Sequence, residues 1–206
     1  MNLKKSTQSE RKKQKKFEVK KSKLFLFRFL KDPKISAVSP SSRFLIARVI
    51  RRISFERVRI VLEYGAGDGA MTRAILRRLH PTGRLIAFEP NSAFCQNLKN
   101  IQDQRLHVIQ DLAENDQEHL NGKLGDVDLV LASLPFSKMK RDRLKFFKNL
   151  SQCMTRDASF IIFNQYVPFK LRSDLNIYFQ KVEIEMELLN FPPCLNFFAT
   201  APLPKT

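Results

Sequence analysis

The chain has 206 residues, 43% hydrophobic and 28% charged, which suits one domain with a sizeable core and some decoration. Lys and Arg total 37 against 20 acidic residues, a net charge of +17 that points to an anionic partner, either phospholipid or nucleic acid. No apolar run approaches the roughly 20 residues of a membrane-spanning helix, the scattered Cys95, Cys153 and Cys194 argue against a disulfide framework, and His80, His107 and His119 lack metal-site spacing.

The charge is concentrated at the head of the chain. Residues 1–34 carry 13 basic and three acidic side chains, a net of +10 that leaves only +7 for the rest. Residues 1–16 read as a solvated basic tail. Phe17 to Lys31 then reads as an amphipathic helix with Phe17, Leu24, Phe25, Phe27, Phe29 and Leu30 among lysines. Such a helix either lies in a membrane interface or packs its aromatic face on the domain. Leu24 to Leu30 is too short and too charged for a signal peptide, and Lys31-Asp32-Pro33-Lys34 follows in place of a small-residue cleavage site, so the segment is expected to be retained. Asp32-Pro33 ends the helix. A domain boundary is therefore expected between residues 34 and 35. Ser39-Pro40-Ser41-Ser42 then caps a second helix over about 42–53.

From there strands alternate with helices. Strands are expected at about 59–64, 84–88, 106–109, 127–132 and 158–163, and helices at about 70–79, 91–100, 112–120 and 140–153. Alternation of this kind means an α/β fold, a doubly wound parallel sheet with helices on both faces. The tail differs: Val182 to Leu189 and Cys194 to Ala199 are two apolar-rich segments separated by Asn190-Phe191-Pro192-Pro193, an antiparallel pair at the sheet edge. The result is a seven-stranded, Rossmann-like sheet with a terminal antiparallel pair.

The first strand runs into Glu63-Tyr64-Gly65-Ala66-Gly67-Asp68-Gly69. Three glycines between a strand and a helix let a ligand approach the backbone, because no Cβ stands in the way. Alone, Gly65-x-Gly67-x-x-Ala70 also satisfies the dinucleotide fingerprint. The ends of the next strands discriminate. The second ends in Glu89-Pro90, about 20 residues past the glycines, where a carboxylate accepts ribose hydroxyls. The third is followed by Asp111-Leu112, where a carboxylate accepts from an adenine amino group or simply caps the next helix. Three acids at the proper strand ends, with the glycines, favour S-adenosylmethionine (SAM) over a nicotinamide cofactor.

The fourth strand is followed by Ser133-Leu134-Pro135-Phe136. Adenine- or amide-methylating enzymes usually carry Asn or Asp, then Pro-Pro-Tyr or Leu-Pro-Tyr, with the aromatic ring stacked on the base. Serine cannot make the same amide contact, which weakens a nucleic-acid base as substrate. Lys138, Lys140, Arg141 and Arg143 follow, either binding phosphate or solvating a helix. Tyr166, just past the fifth strand, lines the pocket or belongs to the core. No general base is evident in the sequence.

Taken together, Ser36 to Ser42, Val61 to Gly69, Phe88-Glu89-Pro90-Asn91, Ser133-Leu134-Pro135-Phe136 and Pro192-Pro193 resemble the bacterial phospholipid N-methyltransferases, class I SAM-dependent enzymes related to the ribosomal RNA adenine dimethylases. The resemblance spans roughly residues 25–200. It implies SAM as cofactor, bound by Ser41, Ser42, Glu63, Gly65, Ala66, Gly67, Glu89, Pro90, Asp111, Leu112 and Ser133. On the acceptor side it implies Ser133, Leu134, Pro135 and Tyr166. It further implies methylation of a lipid amine, typically phosphatidylethanolamine, by a cytoplasmic protein held peripherally on the anionic inner face of the membrane through its basic N-terminal helix. The RNA dimethylases append a helical RNA-gripping domain, for which the roughly 40 residues after the fifth strand leave no room. An RNA or protein methyltransferase using the basic head for nucleic acid is the alternative.

Overall fold

Near-continuous apolar runs such as Ile60-Val61-Leu62 and Leu129-Val130-Leu131 suit strands covered on both faces. In the computed structural model, which describes residues 41–120, 127–136, 139, 143–165, 170–190 and 193–203, these runs form the middle of a seven-stranded sheet. Its strands are β1 (Ile60–Tyr64), β2 (Arg84–Phe88), β3 (Leu106–Ile109), β4 (Val127–Ala132), β5 (Met154–Gln165), β6 (Phe179–Glu187) and β7 (Cys194–Pro202). Their spatial order is β3-β2-β1-β4-β5-β7-β6. The first five run parallel, with Leu62 level with Ile86 on one side and Val130 on the other. β7 lies antiparallel between β5 and β6. The basic tail, the expected helix over residues 17–31, the expected boundary at 34/35, Tyr166 and Pro192 all lie outside the described residues.

Six helices are described: α1 (Arg43–Arg51), α2 (Ala70–Leu76), α3 (Ser92–Lys99), α4 (Asp116–Leu120), α5 (Arg143–Cys153) and α6 (Leu171–Leu175). They divide the core between the two faces of the sheet. One face buries Leu62, Tyr64, Phe88, Phe136, Phe147, Phe160 and Phe197. The other buries Leu45, Val49, Val61, Met71, Ile75, Leu129, Leu131 and Phe198. Side chains of opposite parity on each strand feed the two clusters, as the pleat requires. Among the described residues no helix is long and apolar enough to cross a membrane.

The structure departs from the sequence expectations at several element boundaries. The segment over 112–120 is a 3-10 turn, Ala113–Asn115, followed by α4. β5 starts four residues early, at Met154, directly from the end of α5. β6 is shifted towards its N-terminus, so that Phe179 is buried and Leu188 and Leu189 fall in the following turn. The sequence reading did not include α6, whose five residues are too short to display a helical period.

Strand order reverses between β1 and β4, so the crevice of a doubly wound sheet opens at their carboxyl ends. The glycine loop and the Ser133 loop leave the sheet at that point.

Candidate active site

β1 delivers Glu63 to the carboxyl edge of the sheet, where it is 1% exposed. Its Oε2 accepts a hydrogen bond from Thr72 Oγ1 at 2.7 Å, while Oε1 is buried without a partner. Burial pushes the carboxyl up to about 8, against the Thr72 hydrogen bond, and the nearby Glu89 and Asp68 charges add to the rise. An orphaned buried acceptor costs free energy until a donor reaches it.

The loop that follows turns sharply, with φ of 76° at Gly65 and 56° at Gly67. A Cβ on Gly65 would lie 2.8 Å from the Ser133 carbonyl oxygen, so that position needs glycine for a close backbone crossing. A Cβ on Gly67 would meet no protein atom within 4 Å. Gly67 borders open space, as a loop that admits a ligand does. Strand ends are tied together here: Gly65 N–H and Ala66 N–H donate to Phe88 O, Glu89 N–H to Ile109 O, and Ser133 N–H to Tyr64 O.

Glu89 is 6% exposed. Its Oε2 accepts from Gly67 N–H at 2.8 Å and its Oε1 from Asn91 N–H at 2.9 Å. Burial raises its pKa, and these two hydrogen bonds oppose the rise. Each oxygen keeps a further lone pair for a vicinal diol. Pro90 next to it is exposed. Asp111 accepts from Leu112 N–H and Asn115 Nδ2, and its Oδ2 pairs with His119 Nε2 at 2.7 Å. These bonds, that with His119 foremost, hold its carboxyl below the usual range. They are the contacts of a local turn cap. Leu112 beside it is half-exposed, an apolar surface level with the ends of β2 and β3.

On the other side of the crevice stand Ser133, Leu134 and Pro135, each partly exposed. Gln165, buried at the end of β5, donates through Nε2 to Leu134 O at 3.0 Å and to Phe163 O at 3.1 Å. Phe136 turns inward: it is 1% exposed and packs on Phe147 at 5.4 Å and Phe146 at 6.0 Å between centroids. It offers no open ring face for a nucleobase. Arg143 donates to Phe136 O and pairs with Asp174, so it is a structural clamp and neither a phosphate ligand nor a solvating charge. Lys138, Lys140 and Arg141 lie outside the described residues.

The structure thus brings Glu63, Gly65, Ala66, Gly67, Glu89 and Ser133 to one crevice, with Asp111 and Leu112 at the next strand end. Ser41 and Ser42 precede α1. Ser42 caps α1 by accepting from Leu45 N–H, and its own N–H donates to Asn190 Oδ1 at 3.0 Å. Sequence reasoning missed Thr72, Gln165 and the Tyr64–Asp116 hydrogen bond beneath the loop; a polar residue at a position otherwise reading as core was the available signal for each. Among the described residues no cluster of His, Cys, Asp and Glu is arranged to hold a metal.

A glycine loop open at Gly67, an orphaned buried acceptor at Glu63 and a diol-accepting carboxylate at Glu89 fit the groups of SAM. A methyltransferase-domain family profile matches residues 62–160. The chain is a class I SAM-dependent methyltransferase, and SAM is its cofactor. Among curated relatives it is similar to the ornithine lipid N-methyltransferase of Singulisphaera acidiphila, 28% identical over 182 residues that cover 85% of this chain and 93% of that one. Two solved structures share the fold. A SAM-dependent O-methyltransferase of Thermotoga maritima aligns at a TM-score of 0.58 and 14% identity, covering 78% of this chain and 66% of its own. A SAM-dependent methyltransferase of Aquifex aeolicus also aligns at 0.58 and 14%, covering 84% and 96%.

Proposed function

We propose that this methyltransferase acts on the nitrogen of a membrane lipid amine, phosphatidylethanolamine or a related headgroup. The observation that carries the reading is the acceptor side of the crevice. Phe136 is withdrawn into the core, and what remains at the surface is the short hydroxyl of Ser133 and backbone carbonyls, suited to a small amine rather than a flat base. The relative named for lipid N-methylation supports the same class of acceptor. The basic first 34 residues support a cytoplasmic protein docked on an anionic leaflet, since each Lys or Arg near such a surface contributes about 1 kcal/mol.

When bound, SAM would supply its electrophilic sulfonium methyl to the amine nitrogen, with the C–S electron pair staying on sulfur. The chain supplies position. Gly67 would leave room for close approach, Glu89 would accept from the ribose hydroxyls, Glu63 Oε1 would accept a donor from the cofactor, and Leu112 would cover the adenine with Asp111 at its edge. Ser133 Oγ would accept from an amine N–H and aim its lone pair at the methyl, with Leu134 and Pro135 lining the approach. Alignment and exclusion of water account for the acceleration, with the amine proton leaving to solvent.

The test is incubation of purified protein with methyl-labelled SAM and a crude bacterial extract, followed by separation of lipid, RNA and protein. Label is expected in the lipid fraction. Label confined to RNA or protein overturns the lipid reading in favour of a nucleic-acid or protein substrate.

A further inference from the structure

Resting on the lipid reading, we propose that the end of β6 is a second membrane contact, inserting Leu188 and Leu189 into the bilayer at the sheet edge that carries the active site. β6 runs antiparallel to β7, and β7 antiparallel to β5, so β6 ends at the same edge of the sheet as β1 and β4. The turn after β6 therefore projects from the edge that carries the glycine loop and Ser133.

The turn is built to present apolar side chains outward. Leu188 and Leu189 are 67% and 63% exposed. Met186 and Ile184, on the same face of the strand by its two-residue period, continue the exposed stripe. The polar side chains of Glu187 and Asn190 point inward. Glu187, 2% exposed, accepts Leu189 N–H on Oε1 and Arg48 Nε on Oε2, and buried Asn190 accepts Ser42 N–H. With Glu187 and Asn190 tied down and both leucines exposed, this stretch carries a low polar cost into an apolar medium. Exposed apolar stripes of this kind mark interaction sites.

Charge says what covers the stripe. The acids of β6 do not oppose an anionic surface, because Glu183 and Glu185 pair with Arg52 and Arg48 of α1. In the first turn of α1, Phe44 is exposed with the Arg43 guanidinium 4.9 Å over its ring, an aromatic–basic pair suited to a headgroup interface. The first 34 residues of the chain carry a net charge of +10. A bilayer of anionic phospholipid accepts both the leucines and the cations; a neutral protein partner would leave the cations unanswered.

The chain has no tryptophan, so Leu189→Trp installs a single reporter, with Leu188→Trp as the second. The full-length variants are mixed with vesicles of phosphatidylethanolamine and phosphatidylglycerol carrying brominated acyl chains, and methyl transfer to detergent-solubilised lipid is measured on the same samples. Blue-shifted emission, quenched by the bromines, is expected. In the tryptophan-free background, Leu188→Ser with Leu189→Ser is expected to weaken vesicle binding about tenfold per leucine. Co-sedimentation with unquenched emission, or no binding to vesicles, overturns the contact. A blue shift that depends on protein concentration without vesicles also overturns it, in favour of a second copy covering the stripe. Lipid methylation without quenching sinks the contact alone, whereas quenching without lipid methylation sinks the substrate reading alone.

Discussion

The Tyr64 hydroxyl donates to Asp116 Oδ2 at 2.6 Å, with both residues buried. Tyr64 is the last residue of β1, its carbonyl holds Ser133 N–H, and its ring packs on Phe88 and Phe146. The pair therefore anchors both sides of the crevice from below. Burial raises the pKa of each partner, and the shared hydrogen bond restrains the rise at Asp116. Tyr64→Phe leaves a buried acceptor without its donor and is expected to lower stability by about 1–3 kcal/mol. Asp116→Asn keeps an oxygen acceptor and is expected to lose less than Asp116→Ala. A double-mutant cycle read by urea denaturation checks this: additive losses for Tyr64→Phe and Asp116→Ala would show that the two residues do not act as a pair.

Glu63 makes stability of the cofactor-free protein depend on pH. Its carboxyl titrates at about 8 when folded against an ordinary 4.5. Between those values the folded state holds a proton that the unfolded chain has released. Unfolding then releases protons, so stability falls as pH rises from about 5 to about 8 and levels off above. At about 1.4 kcal/mol per pKa unit the effect reaches a few kcal/mol. Glu63→Gln is expected to remove the slope and to be the more stable protein at pH 8. Urea denaturation across that range decides the matter, and an equally steep profile for Glu63→Gln would show that the slope belongs to other groups.

The two glycines with adjacent roles should fail differently. Gly65→Ala places a Cβ 2.8 Å from the Ser133 carbonyl oxygen at a φ of 76°, so it is expected to destabilise the fold by at least about 1–3 kcal/mol. Gly67→Ala has only its φ of 56° to contend with, since no protein atom lies within 4 Å. It is expected to keep most of the melting temperature and to lose SAM affinity tenfold or more, because the new methyl enters the space assigned to the cofactor. Thermal denaturation with and without SAM separates the cases. Unchanged SAM affinity in Gly67→Ala would remove that loop face from the cofactor site.

What the sequence disclosed follows from the range of the interactions involved. The strands carrying the glycine loop, Glu89 and Asp111 were legible because their apolar runs and turn residues are local signals, and the expected 84–88, 106–109 and 127–132 match β2, β3 and β4. The Tyr64–Asp116 bond joins residues 52 apart, and Gln165–Leu134 residues 31 apart; the first needs the helix after β3 folded over the end of β1, the second β5 set beside β4. Phe136 occupies a motif position that suggests an exposed stacking ring, and only the aromatic packing on α5 shows it turned inward. The shift of β6 has the same origin: apolar Leu188 and Leu189 extend the strand pattern in sequence, but the Glu187 carboxylate captures Leu189 N–H and ends the strand.

Gln165 is the residue beyond the motifs whose loss should be felt in the acceptor half-reaction. Its one amide nitrogen holds the carbonyls of Leu134 and Phe163 together, and so fixes the direction in which the Ser133–Leu134 loop faces the crevice. Removing a buried donor from two acceptors costs about 1–3 kcal/mol, or roughly ten- to a hundredfold if felt in the transition state. Gln165→Ala is expected to lower kcat/KM for the lipid amine by that factor while SAM affinity stays near wild type, because no contact of Gln165 reaches Glu63, Glu89 or the glycine loop. Gln165→Glu sets a carboxylate against two carbonyl oxygens when ionised and regains a donor when protonated. Its activity, relative to wild type at each pH, is therefore expected to recover as pH falls. A purely structural role would lower the melting temperature of both variants without this pH signature, and would reduce SAM and acceptor binding in parallel. Steady-state kinetics across pH, with SAM affinity measured by calorimetry, distinguish positioning of the acceptor from support of the fold.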